Sequence, residues 1–111
     1  MREYTIGGLI DPRTHRIMFV FKSLDPEATV RHHNAHPTEE WKERTGLDGT
    51  AKRDWLQDLH RSGLEASWVI LETKWTDAAD AAALRDQHIE EQATRNPLLT
   101  NQRNRTTAVT S

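Results

Sequence analysis

Apolar positions recur along this chain in two rhythms, and the switches between them lay out the elements. Residues 4–10 are apolar or glycine-rich, and residues 16–22 alternate with Ile17, Phe19 and Phe21 on one side and Met18 and Val20 on the other. Apolar side chains on both sides predict a strand covered on both faces. Between the two runs, Asp11-Pro12-Arg13-Thr14-His15 carries turn chemistry, because aspartate accepts from nearby backbone N–H groups and proline holds its own dihedral. A hairpin follows. Asp25-Pro26-Glu27 then opens a helix, with aspartate as N-cap, proline at the first helical position and glutamate against the dipole. It is expected to run to Ala35 or His36, where Pro37 restricts continuation. A short helix is predicted over 38–44, closing near Gly46. Thr50 caps another over 51–61, with Trp55, Leu56 and Leu59 as its inward stripe and Gly63 at its C-cap. Residues 66–75 are β-branched and aromatic without a breaker, and their length predicts the central strand of the sheet. Thr76-Asp77 opens the longest helix, from Ala78 to about Ala93, which Asn96-Pro97 ends.

This order predicts an α/β fold, a small sandwich in which a short, central, three-stranded and mainly antiparallel sheet is flanked by helices. The chain of 111 residues has room for one core, expected over 1–104, with 105–111 as a flexible C-terminal tail. Leu, Ile, Val and Phe make only 21 of the residues, so Trp41, Trp55, Trp68 and Trp75 are expected to supply much of the interior. A formal charge of −2 argues against a strong nonspecific polyanion binder unless basic groups cluster. They do so only at the end, where Arg95, Arg103 and Arg105 sit among amides with no acidic residue beyond Glu91. The absence of cysteine excludes disulfides and thiolate zinc sites and suits the cytoplasm. No run approaches the ~20 apolar residues of a membrane span, so a soluble protein without membrane contact is expected.

Among polar residues Arg85 stands out. At about 100° per residue, Ala78, Ala82, Arg85 and Ile89 project within roughly 60° of one another, which places the guanidinium inside the apolar stripe of its helix. There it either reaches solvent or a local carboxylate such as Asp86 or Glu72, or presents a phosphate-reading fork beside Lys22 and Arg31. His32 and His36 share a helix face, but two imidazoles without a third ligand do not make a zinc site, and no metal is expected. Trp41, among Glu39, Glu40, Lys42 and Glu43, is a candidate partner-binding anchor.

The run Ile17-Met18-Phe19-Val20-Phe21-Lys22-Ser23, the helix start at Asp25, His33, the Arg85 and Ile89 pair and Asn101 together resemble a degenerate GIY-YIG nuclease domain over roughly residues 4–104. Anchored on Lys22-Ser23, the resemblance places the family's second tyrosine at Phe19, its motif glycine at Phe21 and its first tyrosine near Gly7. Tyr4, three residues away, belongs to the opposite strand face. The arginine position falls on Thr29, the histidine is kept as His33, the metal-binding glutamate falls on Arg85 and the closing asparagine is Asn101.

Metal-assisted phosphodiester hydrolysis needs an oxygen ligand for a hard cation, a group to position water and a cation for the phosphate. The resemblance therefore implies a GIY-YIG-like scaffold without its chemistry: a catalytically inactive domain that binds DNA or another nucleic acid, or a protein partner. The nucleic-acid reading uses Lys22, Arg31, His33, Arg85, Asn101 and Arg103, with no cofactor. The alternative is a divergent endonuclease in which Arg31, Asp86 and Glu90 replace the lost groups and Mg²⁺ is the cofactor. A structural subunit of a larger assembly is the third reading, and the oligomeric state stays open.

Overall fold

A computed structural model describes residues 1–37 and 50–101. The predicted helix at 38–44, Trp41, Arg103 and the tail at 105–111 lie outside the described residues. Strand β1, Arg2–Ile10, pairs antiparallel with β2, Ile17–Ser23, through the expected hairpin. The turn is closed by the Asp11 N–H donating to the Arg16 carbonyl at 3.0 Å, and His15 takes a positive φ of 60°.

Helix α1, Pro26–Ala35, starts as its cap predicts: the Asp25 carboxylate accepts from the Ala28 N–H at 3.2 Å, and Pro26 occupies the first turn. Helix α2, Thr50–Arg61, ends in a Schellman motif. The Leu64 N–H reaches the Leu59 carbonyl at 2.9 Å and the Gly63 N–H that of His60 at 3.0 Å, with Gly63 at φ +72°. Strand β3, Ser67–Thr76, is followed by α3, Ala78–Arg95, which Asp77 caps by accepting from the Asp80 N–H at 2.8 Å.

The sheet order is β2-β1-β3, antiparallel throughout, so β1 is central and the expectation that 66–75 forms the middle strand is overturned. The physical reason lies in Gly7 and Gly8 of β1. A Cβ built on Gly7 would lie 2.4 Å from the Phe21 ring, and one on Gly8 would lie 2.9 Å from Ile17. Side chains from β2 thus fold over a thin central strand and fill the space that its own side chains leave empty. β3 has the stronger strand propensity but stands at an edge with most of both faces exposed.

Two cores result, one on each face. Leu9, Phe19 and Phe21 pack with Val30 of α1 and with Trp55, Leu56 and Leu59 of α2. On the opposite face Ile6 and Val20 pack with Ile89 of α3 and with Leu99. Ile17 was expected beside Phe19 and Phe21 but packs with the Val20 set, while Met18 joins the Phe19 set. The cause is a bulge: Leu9 faces Phe19 but Ile10 faces Ile17, so Met18 is extra and reverses the alternation at the start of β2.

The tryptophan expectation also changes. Trp55 is buried and Trp68 half-buried against the first core, whereas Trp75 is 66% exposed. Residues 96–101 seal the outer edge of β2. The Asn96 amide donates to the Ile17 carbonyl, the Thr100 N–H and hydroxyl to that of Met18, and Asn101 brackets Val20.

Candidate functional site

On the α1 side of the sheet, Phe19 and Phe21 meet His33. The imidazole stands edge-on to Phe19 with ring centroids 5.3 Å apart and lies 6.4 Å from Phe21. Lys52 of α2 closes the group, with Nζ 3.3 Å from His33 Nδ1 and 5.4 Å from the Phe19 ring centre. Lys52 is only 3% exposed. Sequence reasoning missed it, although its spacing contained the signal: it lies three, four and seven residues before Trp55, Leu56 and Leu59, on the same inward stripe. The Phe21 ring fills the place that a side chain at Gly7 would take. No phenol oxygen stands at either of the tyrosine positions named above, and Tyr4 projects from the other face of β1, because β1 keeps its alternation between Tyr4 and Gly7.

The post expected to hold an arginine is occupied by Thr29, whose hydroxyl shares a hydrogen bond with Ser23. Ser23 in turn accepts from the Asp25 N–H at 2.9 Å, so the motif hydroxyl ties the end of β2 to the start of α1. Arg31 is exposed on α1 and lines a groove with Glu27, Asn34, Glu65 and Trp68. Lys22, half-buried, lies across the sheet from Ile6 with Nζ 6.0 Å from the Tyr4 ring centre, beside a hollow that includes Thr29 and His32.

Arg85 lies on the other face. It is 1% exposed within the α3 stripe of Ala81, Ile89 and Gln92, and its Nε is 3.6 Å from Asp86 Oδ1. Glu72, the other carboxylate considered for it, is instead 2.8 Å from His88 Nε2. Asn101 has no exposed surface: its amide oxygen accepts from the Val20 N–H and its NH₂ donates to the Val20 carbonyl. The side-chain amide thus acts as one more rung of sheet.

The residues assigned to nucleic acid are therefore dispersed. Arg31 and His33 belong to the α1 side, Lys22 and Arg85 to the α3 side, and Asn101 to the sealed edge of β2. The groups of the endonuclease alternative are divided in the same way, with Arg31 on α1 and both Asp86 and Glu90 on α3. Among the described residues, no three His, Cys, Asp or Glu side chains converge on a point where a cation could sit. None of the described helices is long and apolar enough to cross a membrane.

Asp11, which was read only as a turn residue, is a strongly perturbed ionisable group. It is 4% exposed and accepts from the Arg13 N–H at 2.8 Å, from Arg13 Nε at 3.0 Å and Nη2 at 2.9 Å, and from the Trp55 indole N–H at 2.9 Å. The Arg13 side chain is the main cause that holds its carboxyl far below the usual aspartate range, with help from Trp55 and against the opposing effect of burial. Arg13 also bonds Asp58 at 2.9 Å, so this hub ties the hairpin turn to α2.

No family model matches this chain, and comparison with curated proteins and with solved structures returns no match either.

Proposed function

We propose that this chain is a catalytically inactive GIY-YIG-like domain that serves as a protein-interaction module. The observation that carries this reading is Arg85: a guanidinium sits, 1% exposed, where the resemblance calls for a metal-binding carboxylate. A fixed positive charge there repels a divalent cation and cannot act as a base. The phenylalanine at position 19 and the glycine at position 7 support the same reading, since neither offers an oxygen to orient water. The dispersal of Lys22, Arg31 and Arg85 over two faces favours a protein partner over a phosphate backbone, which is gripped by cations sharing one surface.

The bare strand β3 is the natural docking element, with Val69, Ile70 and Trp75 exposed on an edge that no described residue pairs. Incubation with supercoiled plasmid and Mg²⁺ or Mn²⁺ tests the reading, and the plasmid is expected to stay supercoiled. Metal-dependent nicking by the pure protein would overturn it. A salt-sensitive mobility shift of DNA lost in Lys22→Ala and Arg31→Ala would redirect it to nucleic acid.

A further inference from the structure

The two edges of the sheet are treated differently. Residues 96–101 cover β2, whereas among the described residues nothing pairs the outer edge of β3. Helices α1 and α2 lie on one face over the Phe19 set, and α3 packs most closely on β2 and β1 on the other. They cover β3 only in part, with Trp68 against the first core and Leu71 and Glu72 on the α3 side, and leave Val69 38%, Ile70 52% and Trp75 66% exposed. An uncovered, apolar edge strand is a template for another strand.

The faces of β3 say which strand fits. From its pairing with β1, Trp68 lies opposite Leu9, Ile70 opposite Gly7, Thr73 opposite Thr5 and Trp75 opposite Glu3, so these four share the α1 side. Val69, Glu72, Lys74 and Thr76 lie opposite Gly8, Ile6, Tyr4 and Arg2 and share the α3 side. Leu71 is the extra residue at the register shift between Ile6 and Gly7, and it packs into the α3-side core. Beyond Leu71, therefore, the alternation is reversed.

Side chains directly opposite in an antiparallel pair share a face, and a two-fold pairing of one strand with itself must satisfy this at every rung. The reversal at Leu71 leaves one register that does so along the full length of β3, with Leu71 opposite Glu72 of the second copy. It then sets Ile70 against Thr73, Val69 against Lys74, Trp68 against Trp75 and Ser67 against Thr76, each pair matched in face and each occurring twice. A one-residue shift in either direction puts opposite faces together at most rungs.

We infer that β3 pairs with β3 of a second copy in this register, joining two three-stranded sheets into one of six strands. The inference rests on the reading that the domain works by binding, and it names the partner. The most exposed indole, Trp75, gains the half-buried indole of Trp68 as a cross-strand neighbour on both sides of the axis. The Lys74 stem covers Val69. Glu72 approaches its own copy near the axis, and His88, 2.8 Å from each carboxylate, moderates that contact. A formal charge of −2 per chain adds little repulsion.

Size-exclusion chromatography with light scattering on the full chain at roughly 100 µM is expected to give twice the 12.8 kDa mass, as a micromolar Kd would. The double variant Ile70→Lys, Trp75→Lys, altered only at exposed positions, is expected to run at the monomer mass with an unchanged circular-dichroism spectrum. The register has its own test, because the chain has no cysteine. Ile70→Cys mixed with Thr73→Cys under mild oxidation is expected to give a disulfide-linked dimer. Either variant alone is expected to give none, since identical positions then lie about 10 Å or more apart. A monomer mass for the native chain would overturn the inference, and so would cross-linking of either cysteine variant alone that mixing the two does not increase. The plasmid assay judges catalysis separately, so a monomer that leaves plasmid intact defeats the dimer and not the non-catalytic reading.

Discussion

Replacing Asp11 by alanine removes a buried group that ties the hairpin turn to α2, and the cost follows from its partners. The Trp55 indole N–H, now without an acceptor in the core, costs about 1–3 kcal/mol. Loss of the bond from the Arg13 backbone N–H removes about 1 kcal/mol from the turn. The ion pair with Arg13 adds little to this, because its side chain is 38% exposed and keeps Asp58 as a partner. The sum is about 3 kcal/mol, which in a domain of this size lowers Tm by about 12 °C. Urea and thermal unfolding followed by tryptophan emission measure it. A double-mutant cycle with Trp55→Phe should return a coupling of about 1 kcal/mol or more.

The same carboxylate sets a pH dependence whose sign is fixed. Its folded-state pKa lies below the unfolded value near 3.8, so its contribution is complete above that value and declines as pH falls below it. Asp11→Asn should therefore lie well below the native chain in stability near neutral pH, and the gap should narrow below about pH 4. A loss under about 1 kcal/mol for Asp11→Ala, or a gap that widens in acid, would refute the hub.

Asn101→Ala should cost about 2–4 kcal/mol in urea unfolding, because both backbone groups of Val20 lose their partner in a fully buried place. Gly7→Ala, measured in the same way, should cost about 1–3 kcal/mol, since the new methyl would stand 2.4 Å from a Phe21 ring carbon and the ring must move. Arg85→Glu should lose about 3–5 kcal/mol in chemical denaturation and yield no plasmid nicking, because it buries a carboxylate beside Asp86 in place of the charge that balances it.

Features decided within a few residues were legible in the chain. The caps at Asp25 and Asp77, the Gly63 terminus, the hairpin turn and the Trp55, Leu56 and Leu59 stripe all depend on local chemistry, and each stands where its spacing predicts. Arg85 was legible as an inward residue for the same reason. Strand order was not, because propensity ranks how well residues suit a strand and says nothing about which strand acquires two neighbours. β1 took the centre through glycines that weaken it as an isolated strand. The extra residues Met18 and Leu71 were hidden too, since a bulge shows only once a partner strand sets the count, and each one moves side chains to the other face. The dispersal of the candidate cations follows from that limit: periodicity tells which side of a helix faces inward, never which face of the sheet it covers.

On the proposed reading, the positions at which the resemblance would put catalytic groups are held by residues with structural contacts of their own. Phe21 fills the volume over Gly7, Thr29 shares a hydrogen bond with Ser23 at the start of α1, Arg85 lies in the packed stripe of α3, and Asn101 closes the edge of β2. Each of these groups now contributes to folding through its own contacts. Placing at any one of these positions the side chain that the resemblance calls for would break a contact without supplying the others. On the proposed reading no single substitution at these positions supplies catalysis, and β3, whose outer edge no described residue pairs, is left to carry the binding surface.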